Sequence, residues 1–161
     1  MKRLTLGSFA ILATIGIIAQ SSITRTNPTK TIASQTDSLA RFRGRAVNFS
    51  ELVSHFGSPD AAISALNSAD NVIIDFYADW CGPCRAMAPH FASMATKFPN
   101  IVFVKVDIQA YKMIGDRYNV KSIPTLVYMK NGSVVNRSVG LVSEKDLGIR
   151  VASAFGQQPI A

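Results

Sequence analysis

The sequence predicts an α/β fold, with a central mixed sheet of four to five strands flanked by helices on both faces. Three observations carry the prediction. Val72 to Ala78 and Ile101 to Val106 are nearly continuous apolar, β-branched runs, the pattern of strands buried on both sides. Segments with apolar residues at helical spacing alternate with them. Asn131-Gly132, between two further strand-like runs, marks a tight hairpin. With 161 residues and 48% apolar content, the chain has enough material for one real core.

Met1-Lys2-Arg3 followed by the apolar run 4–19 has the shape of a secretory signal. The run is shorter than the roughly 20 apolar residues of a spanning helix and is diluted by Thr5, Gly7, Ser8, Thr14 and Gly16. Ala19 and Ser21 supply small residues at the −3 and −1 positions of a cut after Ser21. Residues 1–21 are therefore read as a signal peptide or an N-terminal membrane anchor, with residues 4–19 as the tether in the second case. An organellar presequence is the competing reading, because no acid precedes Asp37. Arg25, Lys30 and the Arg41, Arg43, Arg45 cluster would also resist outward transfer. The expected location is exported (periplasm or an equivalent space) or membrane-anchored, with mitochondrial and cytoplasmic placements as alternatives.

Residues 22–46 are polar, basic and without periodicity, and read as a flexible linker ahead of a domain spanning 47–161. The formal charge of +7 belongs almost wholly to this leading part. Residues 1–50 carry seven bases against Asp37 alone, a net +6, whereas residues 51–161 carry ten bases and nine acids, a net +1. A nearly neutral folded part with no basic stripe excludes nucleic acid as an expected partner.

Within the domain, Ser58-Pro59 reads as an N-cap with proline at the first helical position, followed by an apolar face at Ala62, Ile63, Ala65 and Leu66. The strand 72–78 runs straight into Trp80-Cys81-Gly82-Pro83-Cys84, and 85–98 reads as a helix. Pro89 falls inside that helix, where it lacks a donor and crowds the preceding turn. After the strand 101–106 comes a short helical stretch at 111–118. The strands 125–129 and 134–139 pair through Asn131-Gly132, and Ser143 caps a last helix through Leu147, Val151 and Phe155.

The chain's two cysteines both lie in Cys81-Gly82-Pro83-Cys84. Thiols at this spacing can close into a disulfide ring and open again. At a helix start, the unpaired N–H groups and the helix dipole lower a thiol's pKa and favour the reactive thiolate. Structural zinc would need a second ligand pair, and only His55 and His90 remain to supply it. Asp75 stands out separately. A carboxylate in the middle of an apolar strand is costly unless paired or protonated, and burial raises its pKa.

These residues resemble the thioredoxin family over residues 48–158. The resemblance is carried by Asp75-Phe76-Tyr77-Ala78-Asp79-Trp80-Cys81-Gly82-Pro83-Cys84, Ala88-Pro89, Val104-Lys105-Val106-Asp107, Ser122-Ile123-Pro124-Thr125, Lys130-Asn131-Gly132 and Val139-Gly140. No sizeable insertion lies between Cys84 and Pro124, which argues against the cytochrome-maturation branch. Glu51 to Phe56 resembles the family's first strand only loosely. The implied fold is the thioredoxin fold and the implied activity is protein-disulfide exchange, with no metal or organic cofactor beyond a Cys81–Cys84 redox disulfide.

By resemblance, Cys81 is the more exposed, attacking thiol and Cys84 the buried, resolving one. Asp75 helps deprotonate Cys84 through water, and Lys105 partners Asp75. Pro124 is a cis proline facing the dithiol, and the backbone of Ile123 pairs with a client strand. Trp80 packs beside the dithiol as a lid. Gly82 and Pro83 shape the active site, and Gly140 and Pro83 shape the client groove by staying small or rigid. Tyr77 and Asp79 sit at its rim, and His90 is given no role. The implied partners are client proteins with disulfides and an electron source, either a thioredoxin reductase or a membrane electron conveyor. The Gly-Pro pair between the cysteines points to a reductase. An exported oxidase or isomerase, and a non-catalytic binding module on the same fold, are the alternatives.

Overall fold

Alternating apolar residues on a single strand set the architecture. In the computed structural model, which describes residues 39–160, β2 (Asn71–Tyr77) sends Val72, Ile74 and Phe76 into one core and Ile73 into another on the opposite face. β3 (Val102–Asp107) repeats the pattern, with Val102, Val104 and Val106 on the first side and Phe103 on the second. Each strand therefore needs helices on both faces, and it has them.

The sheet has five strands in the order β1-β3-β2-β4-β5, where β1 is Ala46–Asn48, β4 is Thr125–Lys130 and β5 is Ser133–Val139. β1, β3 and β2 run parallel, β4 is antiparallel to β2, and β5 is antiparallel to β4. Three helices cover the first face: α1 (Phe49–Phe56), α2 (Pro59–Asn67) and α4 (Lys112–Arg117). The second is covered by α3 (Gly82–Lys97) and α5 (Glu144–Phe155).

Local signals place the helix ends. The Ser58 hydroxyl accepts the Ala61 N–H at 3.2 Å, and the Ser143 hydroxyl accepts the Asp146 N–H at 3.1 Å. The expected hairpin forms, with Asn131 and Gly132 both at positive φ. At Gly132 a Cβ would sit 2.5 Å from the Asn67 carbonyl oxygen, so this turn accepts only glycine. Pro89 lies within α3 without ending it.

Two expectations are corrected. The ordered chain does not begin at Val47. Leu39 and Phe42 are buried in the first core, on and beside a short 3-10 turn at Ala40–Phe42. Phe42 packs edge-on against His55 of α1, and Arg41 lies over its ring. Two isolated apolar residues among arginines have no periodicity, yet burying them removes enough surface from water to hold the segment down. Glu51 to Phe56 is helical, not part of the first strand. The Glu51 carboxylate accepts the Asn48 N–H at 3.3 Å, and Gly57 ends α1 at φ +85°. The readings of residues 1–21 and of 22–38 lie outside the described residues.

Candidate active site

β2 delivers the chain to the site and α3 holds it there. After Tyr77 the backbone turns through Ala78 to Trp80, and the Cys81 N–H donates to the Ala78 carbonyl at 3.1 Å. Cys81 is the N-cap of α3, while Gly82, Pro83 and Cys84 form its first turn. Proline fits there because a first-turn N–H has no helical acceptor to lose. The helix thus begins three residues earlier than the sequence indicated, and both cysteines belong to its N-terminus.

Cys81 and Cys84 form a disulfide, with their Cα atoms 5.2 Å apart. The expected difference in exposure is absent, since Cys81 is 4% and Cys84 3% exposed. In the bonded form each sulfur helps shield the other. What separates them is electrostatic: the Cys84 N–H points at the Cys81 sulfur at 3.2 Å. A negative charge on Cys81 would inherit that donor together with the positive end of the helix dipole.

Asp75 is on the face of β2 that α3 covers, in step with Ile73 and Tyr77. It is almost wholly buried, and neither carboxyl oxygen has a hydrogen-bond partner among the described residues. Burial pushes its pKa up to about 7, against the opposing pull of Lys105. Lys105 is its register partner on β3. The lysine ammonium, however, lies over the Tyr77 ring, 4.2 Å from the centroid. Burial pushes the Tyr77 phenol up as well, with Asp107, Asp79 and Asp75 adding to the shift.

The Ile123–Pro124 bond is cis, as expected. The Gly140 N–H donates to the Pro124 carbonyl at 2.8 Å, which brings those two residues together. Gly140 has φ +89° and open space where a side chain would begin. Thr125 Oγ1 donates to the Ser122 carbonyl at 2.7 Å and ties down the same loop. Gly82 likewise adds no bulk; a Cβ there would meet only the end of the Arg85 side chain, at 4.0 Å.

Trp80, immediately before the disulfide, is 66% exposed. Together with Ile108, Gly115, Val120, Ser122 and Ile123 it lines a cavity of about 410 Å³. Sequence reasoning missed Ile108 and Val120, which are apolar residues on loops with no periodicity to mark them. His90, left without a role, has its Nδ1 3.0 Å from the Val142 carbonyl and so links α3 to the turn before α5.

A disulfide at a strand-to-helix turn, a buried carboxyl beneath that helix and a cis proline loop beside an open groove narrow the possible relatives. The family model for thioredoxin matches residues 58–153. The chain belongs to the thioredoxin family. A thioredoxin H-type from Oryza sativa subsp. indica is 42% identical over 103 residues, covering 59% of this chain and 84% of that protein. A thioredoxin from Chlamydia trachomatis is 42% identical over 96 residues, covering 56% and 93% respectively. Among solved structures, a mutant thioredoxin from Halobacterium salinarum superposes with a TM-score of 0.60 at 27% identity, covering 72% of this chain and 96% of that one.

Membership in the thioredoxin family makes the protein a thiol-disulfide oxidoreductase working through its cysteine pair. Thioredoxins need no cofactor for this, and no group of metal-ligating side chains occurs among the described residues.

Proposed function

We propose that the protein is a protein-disulfide reductase in which Cys81 attacks and Cys84 resolves. The observation that carries the assignment of roles is the Cys84 N–H directed at the Cys81 sulfur. In the reduced protein the Cys81 thiolate attacks one sulfur of a client disulfide. A Cys81–client bond forms, and the client's other sulfur leaves as a thiolate that takes up a proton. Cys84 then gives up its proton and attacks Cys81. The Cys81–Cys84 bond forms, the mixed disulfide breaks, and the second client sulfur leaves. Two electrons pass to the client and two protons follow them.

Asp75 is the proposed acceptor for the Cys84 proton. A carboxyl titrating near 7 suits this work at neutral pH, since it can both take and return a proton. Lys105 limits how far burial raises it. Trp80, Ile123, Pro124 and Gly140 are the proposed walls of the client groove, with Gly82 and Pro83 leaving its floor unobstructed.

The reducing direction rests on Gly82-Pro83. Neither residue places a polar or cationic side chain against the Cys81 sulfur. The reduced form therefore gains no stabilisation beyond the helix terminus, and the dithiol gives up electrons readily. Equilibration with glutathione should give a potential more reducing than about −230 mV, the lower edge of the glutaredoxin range. A value near the roughly −120 to −180 mV of oxidants and isomerases would reverse the direction proposed here. Electrons would come from a thioredoxin reductase or a membrane electron conveyor, according to compartment.

Export or membrane anchoring is proposed from residues 1–21. A mature N-terminus at Ser22 would support cleavage and an intact Met1 in the membrane fraction would support the anchor. An intact Met1 in the soluble cytosolic fraction would exclude both.

A further inference from the structure

Asp75, Tyr77 and Lys105 meet on the sheet face beneath α3, but not in the arrangement that register alone implies. Lys105 lies opposite Asp75 on the adjacent parallel strand. Its ammonium nevertheless rests on the Tyr77 ring, and among the described residues it enters no ion pair. A lysine head is compact, strongly hydrated and carried on four flexible carbons. At a half-buried strand position it extends into water unless something retains it. An aromatic face within about 6 Å is such a retainer, and its attraction grows as the ammonium is desolvated.

We propose that Tyr77 is a positioning residue, whose ring holds the Lys105 ammonium against the sheet and within electrostatic reach of the Asp75 carboxyl. Without the ring the charge moves into solvent and Asp75 loses its one favourable electrostatic partner. The other neighbours do not replace it. Leu126, opposite Asp75 on β4, is apolar, and α3 contributes Cys81 and Cys84, which are joined as a disulfide. Asp79 and Asp107 act on the Tyr77 phenol, and both are acids, so neither favours an ionised Asp75. The catalytic meaning of this arrangement rests on Asp75 serving as the proton acceptor for Cys84. The coupling itself is measurable without turnover.

The test is a carbon-13 NMR titration of the Asp75 carboxyl in the oxidised protein. It compares wild type, Tyr77→Phe, Tyr77→Leu, Lys105→Met and the Tyr77→Leu/Lys105→Met double variant. Leucine keeps most of the bulk and removes the ring, whereas phenylalanine keeps the ring. Tyr77→Leu should raise the Asp75 midpoint by about half a unit to one unit. Tyr77→Phe should titrate with wild type. Lys105→Met should shift at least as far as Tyr77→Leu, and the double variant no further than Lys105→Met. An unmoved midpoint in Tyr77→Leu overturns the proposal. So does a Tyr77→Leu shift that adds in full to that of Lys105→Met, since the ring would then act independently of the ammonium. Turnover of Asp75→Asn addresses the other reading separately. If it equals wild type, Asp75 is not the acceptor, whatever the titrations show.

Discussion

Replacing Cys81 with serine is expected to reduce insulin-disulfide turnover to the uncatalysed rate. A hydroxyl at the N-cap of α3 accepts the same N–H but does not ionise near neutral pH, and an alcohol does not displace a thiolate from a disulfide. Replacing Cys84 with serine should have a different outcome. Cys81 can still attack, but no second thiol is present to release it, so the client stays joined to Cys81. A non-reducing gel should then show adducts in Cys84→Ser that disappear on adding a thiol reductant and are missing in Cys81→Ser. Adducts on Cys84 in the Cys81→Ser protein instead would reverse the roles. No turnover by the wild-type protein, with client binding unchanged in Cys81→Ser, would leave only a binding module.

The second large effect is on stability and comes from Asp75. Its pKa rises from 3.8 to about 7 on folding, because burial disfavours the charged form. Below pH 3.8 the carboxyl is neutral in both states, and the folded protein bears no penalty for it. Between about pH 4 and 7 the unfolded chain releases this proton while the folded chain keeps it, so stability falls as pH rises. Above about pH 7 the penalty levels off on the order of 4 kcal/mol, from a difference of about three units. Urea unfolding of oxidised wild-type protein should show this decline, and Asp75→Asn should lack it. Parallel stability profiles for the two proteins from pH 4 to 8 would show that the carboxyl is less desolvated than its burial indicates. A carboxyl that destabilises the fold above about pH 7 is a cost that an apolar residue would not carry, and its presence here argues for chemistry.

The sheet and most helices were legible because their signals are local. Val72 to Phe76 reads as a doubly buried strand from composition alone, and Asp75 is conspicuous inside it for the same reason. Ser58, Ser143 and Asn131-Gly132 act within a few residues of themselves. What escaped the sequence depends on partners far along the chain. Leu39 and Phe42 have no pattern of their own and are ordered by the core they meet. The start of α1 is also a local signal, since Asn48 and Glu51 have capping-box spacing, although the segment resembles the family's first strand loosely.

The site divides the same way. Cys81, Cys84 and Asp75 announce themselves as residue types in context. The rest is tertiary. Lys105 settles on Tyr77 although register sets it beside Asp75. Alternation along β2 puts Tyr77 and Asp75 on one face, but no rule of spacing tells where a flexible lysine ends.

Leu39 and Phe42 have one consequence for the whole molecule. They precede β1, whose first residue Ala46 aligns with Phe103 near the start of β3, whereas the sulfurs follow the last residues of β2. Because these strands are parallel, the polypeptide enters at the pole opposite the reactive one. Whatever grips the residues upstream of Leu39 grips the domain by its base, leaving the disulfide at the far end.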